Sequence, residues 1–132
     1  MSRRNLSKQQ FDEPQVVHEA RGFDQYLNLD DPKGNPLSSV HYHEHLKDVD
    51  IQMIRSHQEG KGHATKVLHE LYNRHPDKLI NWGKTSAPQS THLAQKFSDQ
   101  YGRTHFRPWM EGAIPGYEYG NYYGDKNPKE QK

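Results

Sequence analysis

The sequence contains no cysteine, which excludes disulfides, thiolate metal sites and cysteine nucleophiles. Apolar residues are scarce: they make up 30% of the 132 residues, and the mean hydropathy is −1.25. A chain of this length suits one compact domain, but its core must be modest, with part of the chain extended or exposed. No apolar run approaches the roughly 20 residues that cross a bilayer. The basic, polar start Met1–Gln10 lacks the apolar stretch of a signal peptide. Neither charge dominates: 18 Lys and Arg against 17 Asp and Glu leave a net charge of +1, with no bulk attraction to nucleic acid or anionic lipid. These absences lead to the expectation of a soluble, cytoplasmic protein with neither membrane nor nucleic-acid partners. The compact, polar, cysteine-free character is compatible with a phage-encoded protein, in the host cytoplasm or a virion.

What is present is a change of periodicity. Residues 1–13 read as a polar arm. Strands are expected at Gln15–Ala20, Phe23–Leu29, Ser39–Leu46 and Val49–Arg55. The turn-rich run from Asp30 to Pro36 separates the second from the third, and Lys47-Asp48 the third from the fourth. Ala64, Val67, Leu68, Leu71 and Tyr72 then fall on one face of a helix from about Gly62 to Arg74, which Pro76 stops. Lys78–Trp82 reads as a buried strand, so strand, helix and strand imply a right-handed βαβ crossover. After a loop at 83–89, Ser90 or Thr91 is expected to cap a second helix. It runs to about Tyr101, turns Leu93, Ala94, Phe97 and Tyr101 inward, and stops at Gly102. Residues 105–132 are expected to form a non-regular tail.

The segment Glu59-Gly60-Lys61-Gly62-His63-Ala64 joins a strand to a helix. Glycines allow close backbone approach. The first helical turn offers unpaired N–H groups and the positive end of the dipole, together a cradle for pyrophosphate. The plainer reading is a tight strand-to-helix turn. In context the segment resembles the motif of the GNAT superfamily of acyltransferases: Arg or Gln, two residues, Gly, one residue, then Gly or Ala. Gly62 and Ala64 match its last two fixed places, Gly60 and Lys61 suit the variable ones, and Ile54 is the apolar residue five places before the motif. Ala64–Tyr72 and Leu79–Trp82 match the helix and strand that follow, and Leu93–Gly102 looks like the family's second helix. The resemblance covers about residues 37–103. Three departures stand out: Glu59 at the Arg or Gln position, Ser98 where a tyrosine acid often stands, and no helices between the first two strands.

The resemblance implies an α+β fold: a mixed, mostly antiparallel sheet with a βαβ unit, two main helices and an irregular C-terminal tail, the domain spanning 14–104. It implies an N-acyltransferase that moves an acetyl group from acetyl-CoA to an amine. Met53, Ile54 and Arg55 would lie beside the pantetheine arm, where the family's fourth strand splays from the fifth. Gly60, Lys61, Gly62, His63 and Ala64 would donate to the pyrophosphate. Glu44 and His43 are the candidate bases, and Ser98 and Tyr101 occupy the region of the leaving-group acid. A second reading keeps the fold as a non-catalytic scaffold, such as a viral or phage structural or inhibitor protein.

Ten histidines are many for this length. His41, His43 and His45 alternate along a strand and share one face, close enough in pairs to hold a borderline metal. With no carboxylate accompanying them on that face, the plainer reading is a solvated sheet face, with Val40, Tyr42 and Leu46 on the buried side. No metal is therefore expected, and a histidine-row metalloprotein ranks third. His57, His63, His69 and His75 recur every six residues, a spacing that does not share a helix face. The tail carries Trp109, Tyr117, Tyr119, Tyr122 and Tyr123, suited to covering a sheet face or gripping a protein partner.

Overall fold

The computed structural model describes residues 13–57 and 62–108. Among the described residues eight elements follow one another: β1 (Gln15–Arg21), β2 (Asp24–Asp30), β3 (Pro36–Glu44), β4 (Asp48–Ser56), α1 (His63–Arg74), β5 (Leu79–Lys84), α2 (Pro88–Tyr101) and β6 (Thr104–Arg107). The strands form one mixed sheet in chain order, β1 to β6. β1/β2 and β2/β3 pair antiparallel, and β4/β5 and β5/β6 pair parallel. The expected α+β class and the parallel strand–helix–strand unit are therefore present. The chain divides into two compact units, Met1–His43 with Gln52–Arg74, and Glu44–Ile51 with His75–Lys132.

In the first unit, turn chemistry sets the register. Gly22, at φ +62, supplies the left-handed residue of a two-residue hairpin that places Arg21 opposite Asp24. Asp31 ties the next loop. Its Oδ1 accepts from the backbone N–H groups of Lys33 (2.9 Å) and Asn35 (2.8 Å), the Asx-type bonding that favours aspartate in turns. Alternation then sorts the faces. Leu27, Leu29, Val40 and Tyr42 are buried, as are Val67, Leu68, Leu71 and Tyr72 of α1, which packs against β2. Each such side chain contributes about 1.5–3 kcal/mol by leaving water.

The second unit buries Val49, Ile80, Trp82, Ala94, Phe97 and Phe106. The Trp82 and Phe97 rings meet at 6.0 Å, tilted by 47°, and α2 packs against β6. Helix α2 begins with Ala87 at the N-cap and Pro88 in its first turn. Proline fits there because the first helical N–H groups have no partner within the helix. Its end is as expected: Gly102, at φ +67, donates its N–H to Ser98 O at 2.9 Å.

Three expectations are corrected. Ser90 and Thr91 lie inside α2; Thr91 is buried and hydrogen-bonded to Thr85 through their hydroxyls. Leu46 is 88% exposed, because β3 ends at Glu44 and the chain turns there, with His45 N–H donating to Asp48 O at 2.7 Å. Residues 104–107 form β6, a short strand paired to β5, so the stretch 105–132 expected to be a non-regular tail begins inside a strand. The rest of that stretch, 109–132 with Trp109 and the tyrosines, and the arm 1–12 lie outside the described residues.

Candidate cofactor-binding site

The second half of β4 and the start of α1 belong to the same unit. Met53 is 48% exposed, Ile54 half-buried and Arg55 exposed. Met53 and Arg55 share a face by alternation, and the Arg55 Nε–H donates to Met53 Sδ at 3.1 Å. The far side of the backbone is tied to β3: Ser38 Oγ donates to Arg55 O at 2.6 Å, and His57 N–H to Leu37 O at 2.9 Å. Met53, Ile54 and Arg55 thus form an anchored strand whose accessible face carries Met53 and Arg55.

Gly62 has φ +78 and immediately precedes α1, and a Cβ built on it meets nothing within 4 Å. The space over this residue is open, and its backbone conformation is one that side chains disfavour. Its carbonyl starts the helix by accepting from Lys66 N–H at 3.1 Å. The first turn of α1 carries no acidic residue, so nothing there offsets the positive end of the dipole. His63 and Ala64 are half-buried, and among the described residues His63 Nδ1 is a buried ring nitrogen without a hydrogen-bond partner. These features fit an anionic group held by backbone N–H groups at the helix start. Glu59, Gly60 and Lys61 lie outside the described residues.

Each candidate chemical group has local contacts of its own. His43 Nε2 is bonded to Asp24 Oδ1 at 2.9 Å. Its chain neighbour Glu44 accepts from Lys78 Nζ at 2.7 Å and lies 3.6 Å from His75 Nε2. The Lys78 hydrogen bond, helped by the nearby His75, lowers the Glu44 pKa against the opposing effect of burial. Glu44 is thus a paired carboxylate and a weak base. Ser98 is half-buried, with its carbonyl in the cap of α2. The Tyr101 ring stacks on Phe97 at 5.7 Å, with the Arg103 guanidinium 5.7 Å from its centre.

Asp24 had no role in the sequence reading. The register Gln25↔Tyr42 and Tyr26↔His41 carries it to the histidine face of β3, where it bonds both His41 and His43. The signal was the tight loop that fixes this register, and reading it requires knowing which residues pair. No protein-family model matches the chain, and no curated protein matches it either.

Proposed function

We propose that this protein is a pared-down GNAT-like protein that binds acetyl-CoA through the segment linking β4 to α1 and transfers its acetyl group to an amine. The observation that carries the reading is Gly62 at φ +78, opening a helix whose first turn lacks acidic residues and which lies in sequence between two strands that pair parallel. The backbone N–H groups of Gly62, His63 and Ala64 bind the pyrophosphate, with Gly60 and Lys61 extending the cradle. The backbone of Met53, Ile54 and Arg55 lies along the pantetheine arm, with Met53 and Arg55 on its exposed face. Acetyl-CoA supplies an activated acyl group, and the protein contributes mainly orientation.

The second reading, a non-catalytic scaffold that acts through contacts of its aromatic tail, is favoured by two observations. Glu44 is already paired with Lys78, and the Tyr101 ring contacts both Phe97 and Arg103. Isothermal titration with acetyl-CoA, followed by a thiol-release assay across a panel of amines, separates the two. Binding with turnover supports the enzyme, and binding without turnover supports the scaffold. The absence of binding at high micromolar acetyl-CoA overturns the enzyme and leaves the scaffold.

A further inference from the structure

On the open face of β2 and β3, opposite the one α1 covers, two imidazoles and one carboxylate converge. His41 Nε2 lies 2.8 Å and His43 Nε2 2.9 Å from the same atom, Asp24 Oδ1. One ligating atom from each of the three residues falls within a sphere where all are within 4.8 Å of one another. Asp24 comes from β2, and His41 and His43 from β3, 17 and 19 positions further on.

The ring planes are set by their neighbours. Tyr26 lies flat on His41, with centroids 4.6 Å apart and planes at 11°. Phe23 lies flat on His43 at 5.5 Å and 19°. The two imidazoles meet edge-on at 5.5 Å and 83°. The Tyr26 ring is itself held from above by Arg21, whose guanidinium is 5.7 Å from its centre. Phe23 is 69% exposed at the hairpin tip, so it gains little as a core residue. Covering His43 gives it a role there.

We infer that Asp24, His41 and His43 form a binding site for a first-row divalent transition-metal ion of the Zn2+ class. Two imidazole nitrogens and one carboxylate oxygen are the donor set such ions favour, whereas calcium and magnesium need more oxygens. In the metal-free arrangement both rings direct Nε2 at one oxygen, so the lone pairs exposed on losing those protons converge on a common point. Bonds of about 2.0–2.2 Å at tetrahedral angles place ligand atoms roughly 3.3 Å apart. The carboxylate therefore has to draw back by about half an ångström from each ring. Asp24 has the freedom to do so: it is the first residue of β2, and its side chain is 44% exposed. The histidines, at 28% and 27%, are the more fixed pair. Three protein ligands leave a fourth position for water or an outside ligand.

The test is a titration of tag-free, metal-stripped protein with Zn2+, read by calorimetry and by the ring 15N shifts of His41 and His43. One ion should be taken up at this site, shifting both Nε2 resonances. D24N and H41Q should each weaken uptake at least about tenfold. H45A alters the separate group His45, Asp48 and Asp50 and should leave this uptake unchanged. Co2+ in place of Zn2+ should give the visible absorption of a four-coordinate nitrogen–oxygen site, lost in D24N. Circular dichroism and melting of the metal-free variants verify their folding, and the wild-type ring shifts give a readout that needs no variant. Stoichiometric uptake that survives in both D24N and H41Q overturns the inference. So does uptake that disappears in H45A alone, or no uptake by the wild type at micromolar free zinc.

Discussion

Arg103 closes the turn that begins at His75: its Nη1 donates to His75 O at 2.8 Å and also reaches Lys78 O at 3.1 Å. The same residue has φ +28, an uncommon conformation for a side-chain-bearing residue, and its own carbonyl accepts from Ile80 N–H at 2.9 Å. One residue thus joins the turn before β5 to the approach to β6, and its backbone geometry is maintained by that joining.

Replacing this arginine should therefore cost more than a surface substitution. R103A leaves two partly buried carbonyls without their charged donor and is expected to lower stability by about 2 kcal/mol. R103K retains the charge without the planar fork and should fall between the two. Urea denaturation of the three proteins measures this; equal midpoints for wild type and R103A would remove the turn-closing role.

Gly62 offers a second test because its surroundings are open. A Cβ there meets no atom, so G62A is penalised through backbone conformation alone, about 1 kcal/mol. The same change narrows the approach to the helix start and should weaken acetyl-CoA binding about tenfold, near 1.4 kcal/mol. Calorimetry on G62A beside wild type reads both effects, one from melting and one from binding. Affinity equal to wild type would sink the assignment of the pyrophosphate site.

The two leucines Leu68 and Leu46 should behave in opposite ways. Leu68 is fully buried on α1, so L68A is expected to cost about 2–5 kcal/mol through lost transfer energy and a residual cavity. Leu46 is 88% exposed, so L46A should change stability by less than about 0.5 kcal/mol. Thermal melts of both variants decide this, and a large loss in L46A would restore it to the core.

Asp31 should titrate low. The N–H of Asn35 is the largest influence lowering its pKa below the ordinary 3.8, with the Asn35 side chain, the Lys33 N–H and the Lys33 charge adding to it. A depressed folded-state value means the contribution is complete above the unfolded pKa. It is lost as pH falls through the folded value, in a window below about pH 4. The carboxyl 13C shift of Asp31 across that window is the measurement. A midpoint at or above the ordinary value would show that the loop bonds do not persist in solution.

Much of the fold was legible because local rules decide it. Val40 and Tyr42 are buried and His41 and His43 face outward through simple alternation. The α1 face of Val67, Leu68, Leu71 and Tyr72 follows from helical spacing, and Gly102 ends α2 because a left-handed residue is needed there. What was not legible depends on partners distant in sequence. Thr104–Arg107 is four residues long and mostly polar, and only its pairing with β5 and the cover of α2 make it a strand. Leu46 fits the alternation, but the chain has already turned. Asp24 reaches the histidines through a register that no single strand encodes, and the irregularity at Leu29/Asp30 lies in that same ladder. For the candidate cofactor site, Gly62 and Ala64 were identifiable by residue type, whereas the pairing of Glu44 with Lys78 spans 34 positions.

The order of the strands also carries a kinetic consequence. The β1/β2 and β2/β3 ladders join chain neighbours across tight loops, as Arg21 meets Asp24. The parallel ladders are different: Asp48 must find Leu79 across the whole of α1, and Ile80 must find Thr104 across α2. Loop-closure entropy is spent before such distant pairs gain anything. The antiparallel meander is therefore expected to form early, with the two crossovers setting the rate of reaching the native state.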